Sequence, residues 1–166
     1  LTYTYRNSFY NTHFIKATFH NSSINDTINV LNVNYFNDNR TRQRYGMLSY
    51  QYTSDHRDVF TYPLSGTFTN LIIEKTGLGV GDDVNKLRLN VAFAWYKDLK
   101  RNFYLSNYTA INYSTPKTQP YSNYEALGYQ KQLVRGYEIY VIEGPVSVLN
   151  KSTLKVRIFN KRYHLK

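Results

Sequence analysis

The feature that most constrains the fold is a strict alternation of apolar and other side chains over residues 86–96. Every second position is apolar, with Leu87, Leu89, Val91, Phe93 and Trp95 in one phase. Because successive side chains of a β-strand point to opposite faces of a sheet, this spacing predicts a strand with one apolar face. We expect all five side chains to point into a core, so that Phe93→Ala lowers the free energy of unfolding by about 3 to 5 kcal/mol.

The same period of two recurs along the chain and predicts about ten short strands. They are expected at residues 13–19, 27–35, 45–52, 59–62, 67–75, 86–96, 102–113, 137–143, 146–149 and 153–159. Turn-forming residues lie between several of them, including the glycine-rich segment 77–83 and the triplet 150–152. A phosphate-binding loop would need a helix after it, whereas 77–83 leads directly into the strand at 86–96. We therefore interpret 77–83 as a turn between strands.

Ten short strands without a repeating period predict an all-β, antiparallel fold. We expect a β-sandwich of jelly-roll or Greek-key type that forms a single domain over residues 1–166, with an extended N-terminal segment at residues 1–12. One segment has helical features, since Ser122 and Glu125 have capping-box spacing and a crude apolar stripe follows them. The sequence therefore predicts at most one short helix.

The residue types argue against an enzyme. The chain has no cysteine, which excludes disulfides, thiolate metal sites and cysteine nucleophiles. Its four histidines are far apart in the sequence, and no serine-nucleophile motif is present. The triplet His56-Arg57-Asp58 imitates a kinase motif without the rest of the kinase set, so we interpret it with Asp55 as a charged turn in which both acids can pair with Arg57. We expect no catalytic activity, no cofactor and no metal.

The chain is strongly basic, with a formal net charge of +10 from 21 basic and 11 acidic side chains. Such an excess attracts polyanions, although it also serves solubility alone. Basic residues alternate at 40–44 and cluster at 97–101. Near the C-terminus, Lys155 and Arg157 share a strand face. Together with Lys161 and Arg162 they are our candidate contact for nucleic acid or another anion.

Aromatic residues are abundant, with 18 tyrosines and nine phenylalanines. Tyrosine suits interfaces because its ring is apolar while its hydroxyl forms hydrogen bonds. The N-terminal segment carries several of these rings, and we predict that Tyr3, Tyr5, Phe9 and Tyr10 contact another subunit. The alternative is an ordinary edge strand that packs against the sheet of its own chain.

Six Asn-x-Ser/Thr sequences match the glycosylation acceptor pattern. They begin at Asn21, Asn25, Asn39, Asn107, Asn112 and Asn150. Composition alone would give roughly three, so the excess is mild. All six lie near predicted strand ends or loops, where asparagine and serine are also common for conformational reasons. Glycosylation and turn chemistry both remain open as explanations.

The predicted sheet and the absence of a catalytic motif favour a non-catalytic structural subunit. We expect it to self-associate into a virion coat or an extracellular filament through its tyrosine-rich edges. The alternative is a secreted adhesin or carbohydrate-binding module that stacks sugars on exposed tyrosines. Either function implies a virion or extracellular location. The first also implies a homo-oligomer, with nucleic acid or another polyanion as a partner. No apolar run approaches the roughly 20 residues of a membrane-crossing helix, so no transmembrane segment is predicted.

Overall fold

The computed structural model describes residues 1–36, 39–79, 81–124 and 144–158. These residues form seven strands. They are β1 (Thr2–Arg6), β2 (Asn11–Ser23), β3 (Arg42–Asp55), β4 (Gly66–Thr76), β5 (Lys86–Lys100), β6 (Phe103–Thr115) and β7 (Val146–Val156). A short helix, α1 (Asp26–Leu31), follows β2, and a 3-10 turn (Tyr121–Asn123) follows β6. Each strand pairs antiparallel with the next one in sequence, in the order β1 to β7. The described strands therefore form one up-and-down sheet.

The predicted all-β, antiparallel fold is confirmed, but its finer architecture is not. The described residues form a single sheet of seven strands, where we expected about ten strands in a β-sandwich of jelly-roll or Greek-key type. Six of the seven strands are 11 to 15 residues long. The triplet 150–152 lies inside β7, so two predicted strands are one. The predicted strand at 59–62 lies in the loop between β3 and β4.

The predicted strand at 27–35 is wrong because a helix begins there. Asn25 caps α1, and its side-chain oxygen accepts a hydrogen bond from the Thr27 backbone N–H at 3.3 Å. This is the usual means of satisfying a free donor at a helix start, and here it outweighs the β-propensity of the residues that follow. The predicted strand at 137–143 and most of the predicted helical segment after Ser122 lie outside the described residues.

β5 has the predicted alternation, but its apolar face is exposed. Leu87, Leu89 and Phe93 keep 42%, 38% and 43% of their surface exposed. The opposite face is buried, and the exposed fraction there is 7% for Lys86, 9% for Asn90, 4% for Ala92 and 1% for Ala94. The prediction that the apolar side chains point into a core was therefore wrong. Phe93→Ala is consequently not expected to cost what a core truncation costs.

The strand register extends this two-sided pattern over the whole sheet. Ala92 of β5 pairs with Ala110 of β6, which pairs with Leu149 of β7. These three side chains form a small buried cluster, and Tyr108 packs against it. Leu89 pairs with Ile73 in β4 and Tyr113 in β6, on the opposite face. The small core thus lies on the face that also carries the buried polar side chains.

Gly66, at the start of β4, has a backbone conformation that fits no other residue. Its φ is +104°, and a Cβ there would lie 2.1 Å from the carbonyl oxygen of His56. That backbone is fixed, because the His56 N–H donates to the Thr67 carbonyl at 2.8 Å. We expect Gly66→Ala to lower the free energy of unfolding by about 1 to 3 kcal/mol, measured by urea titration. Gly79→Ala is the matched control, since a Cβ there meets no atom within 4 Å. Equal effects of the two changes would contradict this explanation.

Candidate functional site

One face of the sheet, called here the apolar face, exposes large hydrophobic side chains from all seven strands. They include Tyr3, Tyr5, Ile15, Phe19, Leu48, Ile73, Leu87, Leu89, Phe93, Ile111, Tyr113, Val146, Val148 and Leu154. Val148 is 62% exposed and Phe19 is 69% exposed. A continuous apolar surface of this kind marks a site of contact with a partner or a membrane.

The opposite face, called here the polar face, is built from hydrogen-bonded polar side chains. Arg88 donates from Nη2 to Glu74 Oε2 on the neighbouring strand at 3.1 Å. Asn90 donates to Asn112 across β5 and β6, and Asn112 donates to Ser147 Oγ at 3.2 Å. The sheet therefore buries polar groups beside its small core and exposes most of its large apolar side chains, which is unusual for a sheet in water.

The connections at the two ends of the sheet differ in length. At one end, called the short-loop end, the connections are residues 7–10, 56–65 and 101–102. At the other, called the long-loop end, β2 connects to β3 and β4 to β5, and the described residues 116–124 follow β6. The segment 77–83 lies in such a connection, as predicted. Asp82 accepts hydrogen bonds there from the backbone N–H groups of Leu78 at 2.6 Å and Gly79 at 2.8 Å.

An ion pair holds the loop 56–65 at the short-loop end. Arg57 donates from Nε and Nη2 to the two carboxylate oxygens of Asp55, at 2.7 and 2.5 Å. Its guanidinium also lies 4.8 Å from the ring centroid of Phe60 and 4.7 Å from that of Phe68, and the side chain is 9% exposed. The hydrogen bonds that Arg57 donates to Asp55 raise the pKa of Arg57 above its ordinary value. Arg57 is therefore a permanent cation in an aromatic pocket.

The charged turn predicted around Arg57 is confirmed for one of its two acids. Asp55 pairs with Arg57, whereas the Asp58 carboxylate accepts backbone N–H groups, from Val59 at 2.9 Å and Leu64 at 3.0 Å. Asp58 therefore shapes the loop, and Asp55 anchors it to the end of β3.

Lys155 ties the same loop to β7. Its Nζ donates to the Pro63 carbonyl at 2.9 Å and lies 4.0 Å from the ring centroid of Tyr62. Arg157 lies over the ring of Tyr104, at 5.3 Å. Both residues are thus engaged inside the protein, and the structure does not show them as a free basic stripe. Lys161 and Arg162 lie outside the described residues, so the anion contact of the four stays a prediction.

The aromatic residues predicted to contact another subunit lie on or beside the edge strand β1. Tyr3 and Tyr5 are 62% and 53% exposed on β1, which pairs with β2 of the same chain. Phe9 is 83% exposed, whereas Tyr10 stacks on His56 with a centroid distance of 4.6 Å. The first strand is thus an edge strand packed within its own sheet. Its contact with a second subunit stays a prediction.

At the long-loop end, the loop after β6 folds back onto the sheet and onto another loop. Lys86 of β5 donates from Nζ to the Asn123 carbonyl at 2.6 Å. The Tyr121 N–H donates to the Asn34 carbonyl at 3.1 Å, which joins this loop to the one between β2 and β3. No local pattern indicates this role of Lys86, because its partner is 37 residues away.

On the apolar face, β6 and β7 contribute a group of polar residues, called here the polar cluster. Asn107 and Thr109 of β6 lie beside Asn150 and Ser152 of β7. Asn107 Nδ2 donates to Asn150 Oδ1 at 3.1 Å and to Ser152 Oγ at 2.9 Å, and Asn150 Nδ2 donates to Thr109 Oγ1 at 2.7 Å. Two of the six Asn-x-Ser/Thr sequences therefore form mutual hydrogen bonds between strands. This pairing also explains why residues 150–152 continue a strand.

No three His, Asp or Glu side chains among the described residues are arranged to hold a metal ion. In the same part of the chain, no helix is long and apolar enough to cross a membrane.

Residues 1–151 match the family model described as the Omp85 superfamily domain. A search of curated proteins gave no match. Proteins of the Omp85 superfamily are associated with the bacterial outer membrane and periplasm. The family match therefore shows that the predicted virion coat or extracellular filament was wrong, as was the alternative of a secreted adhesin or carbohydrate-binding module. The predicted virion or extracellular location was wrong for the same reason.

Proposed function

The chain belongs to the Omp85 superfamily, and from this membership we propose that its sheet is embedded in the outer membrane as part of a machine for outer-membrane protein biogenesis. The observation that carries the proposal is the exposure of the apolar face over all seven strands. Exposing such a surface to water is unfavourable, whereas strands that cross a membrane present apolar side chains to the lipid. The buried polar face then lies on the side away from lipid.

Strand length supports the same proposal. A tilted strand needs about 9 to 11 residues to cross the hydrocarbon core of a bilayer. β2 to β7 have 11 to 15 residues, so each is long enough. In sheets that cross the outer membrane, short turns lie at the periplasmic end and longer loops lie outside. We therefore propose that the short-loop end faces the periplasm and the long-loop end faces the exterior.

Lipid also imposes a requirement on the edges of the sheet. An unpaired backbone N–H or carbonyl group in hydrocarbon costs several kcal/mol. β1 and β7 each have one unpaired edge in the sheet of described strands. We propose that further strands, from the same protein or from a second copy, pair with these edges. The predicted homo-oligomer and the predicted contact through Tyr3 and Tyr5 are one form of this arrangement.

The protein acts, in our proposal, as a non-catalytic scaffold that engages other proteins. The described residues offer hydrogen-bonded polar side chains on the polar face, with loops crossing it at both ends, and these support a binding or conducting surface. Nucleic acid or another polyanion as a partner of Lys155, Arg157, Lys161 and Arg162 stays a prediction.

The single tryptophan of the chain tests whether the apolar face contacts lipid. Trp95 lies on that face, in the same phase as Phe93. We expect bromine atoms on the acyl chains of phosphatidylcholine vesicles to quench Trp95 fluorescence strongly, because bromine quenches an indole only at close contact. The matched variant is Trp95→Phe combined with Tyr108→Trp, which moves the indole to the polar face and should remove the quenching. Equal quenching at both positions, or none at Trp95 in the folded protein, would contradict the proposal.

A further inference from the structure

An open pocket at the long-loop end brings three arginines together. It has a volume of about 530 Å³ and is lined by Asn39, Arg40, Thr41, Arg42, Arg44, Gly81 and Asp83. Arg42 and Arg44 converge because they alternate on β3 and therefore share a face. That face is the apolar one, since Leu48 continues the same phase. Arg40 precedes the strand and lines the same pocket.

Asp83 lines this pocket, and its side chain pairs with only one of the three arginines, Arg40. Its carboxylate accepts from Arg40 Nη1 at 2.6 Å and from the Arg44 backbone N–H at 2.7 Å. Its own N–H donates to the Arg44 carbonyl at 2.9 Å, so the loop 77–85 is fixed against β3. Among the described residues, the guanidinium groups of Arg42 and Arg44 have no hydrogen-bond partner or ion pair. The pocket therefore carries an excess of positive charge with donors available to a ligand.

Apolar side chains begin directly beside the pocket. Gly46 follows Arg44 by two positions, and the Leu78 side chain covers it, with Cδ1 3.4 Å from the place of a Gly46 Cβ. Phe19 pairs with Gly46 on the neighbouring strand and is 69% exposed. Leu48 and Leu78 are 44% and 52% exposed. A ligand with an anionic head and an apolar tail would thus contact the arginines with its head and the hydrophobic side chains with its tail.

We propose that this pocket binds the phosphate monoester of a membrane lipid, whose acyl chains lie along Phe19, Leu78 and Leu48. The proposal rests on the embedding of the sheet in the membrane, which places these residues at the boundary of the leaflet on the long-loop side. Guanidinium groups bind phosphate oxygens through paired, charge-assisted hydrogen bonds. A phosphate monoester carries close to two negative charges, which matches the three arginines and one aspartate among the described residues that line the pocket.

The test is lipid binding to the protein in detergent micelles, with lipid A as the probe, because lipid A carries phosphate monoesters. We expect R42Q/R44Q to weaken the binding of lipid A by about tenfold or more, since two charge-assisted contacts are lost. The matched control is K97Q/K100Q, which removes two exposed charges at the short-loop end and should leave the affinity unchanged. Chemically dephosphorylated lipid A should bind the unmodified protein as weakly as lipid A binds R42Q/R44Q.

Other outcomes would overturn the proposal in distinguishable ways. Equal losses in R42Q/R44Q and K97Q/K100Q would show an effect of net charge alone, and unchanged binding in both would show that the pocket is not the lipid site. Binding of inorganic phosphate as tight as that of lipid A would identify a free anion as the ligand.

Quenching of Trp95 by brominated lipid is measured on the same variants. If Trp95 is quenched while lipid A binding is unchanged, only the pocket assignment fails. If Trp95 is not quenched, the membrane assignment fails as well.

Discussion

Replacing both Leu89 and Phe93 with arginine is expected to weaken folding of the protein in lipid vesicles by about 4 to 8 kcal/mol. An arginine on the lipid side of a membrane-crossing strand costs about 2 to 4 kcal/mol at the bilayer midplane. The two positions lie four residues apart on β5, about 13 Å along a strand, so their costs should add. Both side chains are exposed in the structure. The measurement is urea unfolding of the protein in vesicles, for each single variant and for the pair.

The control for this experiment is an arginine on the other face. Ser49 of β3 lies on the polar face, paired with Lys16 on one side and Glu74 on the other. Ser49→Arg should cost less than about 1 kcal/mol, because the new side chain enters a region that already holds charged groups. Phe93→Ala should also be mild compared with Phe93→Arg. If Ser49→Arg is as costly as Phe93→Arg, the apolar face is not the face that contacts lipid.

Removing the carboxylate of Asp55 is expected to lower the free energy of unfolding by about 3 to 5 kcal/mol. Asp55→Asn leaves the guanidinium of Arg57 buried among Phe60 and Phe68 without its anion, and an uncompensated buried charge is strongly destabilising. Arg57→Met should cost less, because the Asp55 side chain is 30% exposed and water can hydrate it. The double variant should recover part of the loss of Asp55→Asn, since it removes both charges.

An exposed ion pair provides the comparison for Asp55. The side chain of Arg40 is 50% exposed in its contact with Asp83. Arg40→Met should therefore cost no more than about 1 kcal/mol, as exposed pairs generally do. Urea titration in vesicles gives all four values. A cost for Asp55→Asn as small as that of Arg40→Met would show that loop 56–65 is not held by the ion pair.

The alternation in β5 predicted a strand and its two faces, but it could not predict which face is buried. A period of two assigns Leu89 and Asn90 to opposite faces whatever surrounds the sheet. The choice of the apolar face as the inner one assumed water as the solvent. An apolar residue at every second position never produces a long apolar run, so a search for membrane-crossing helices does not detect a strand of the kind we propose.

The parts of the site that the sequence did predict depend on near neighbours. Arg57 and Asp55 are two residues apart, so their pairing in a turn was predictable. Lys155 and Pro63 are 92 residues apart, and no local pattern indicates that contact. The triplet beginning at Asn150 has turn-forming composition, yet its hydrogen bonds with Asn107 keep it in a strand. Contacts between residues far apart in sequence therefore decided both the strand boundaries and the role of Lys155.

In the membrane-embedded sheet that we propose, the polar cluster restricts the order in which strands can enter the bilayer. Asn107 has Thr109 as a partner within β6, but its amide donates to Asn150 and Ser152 of β7, more than 40 residues later. Entering hydrocarbon alone, β6 would carry an unsatisfied amide, which is costly there. In a sheet embedded as we propose, β6 and β7 therefore have to pair before or during their passage into lipid. Although they are far apart in sequence, the two strands would then form one unit of membrane insertion.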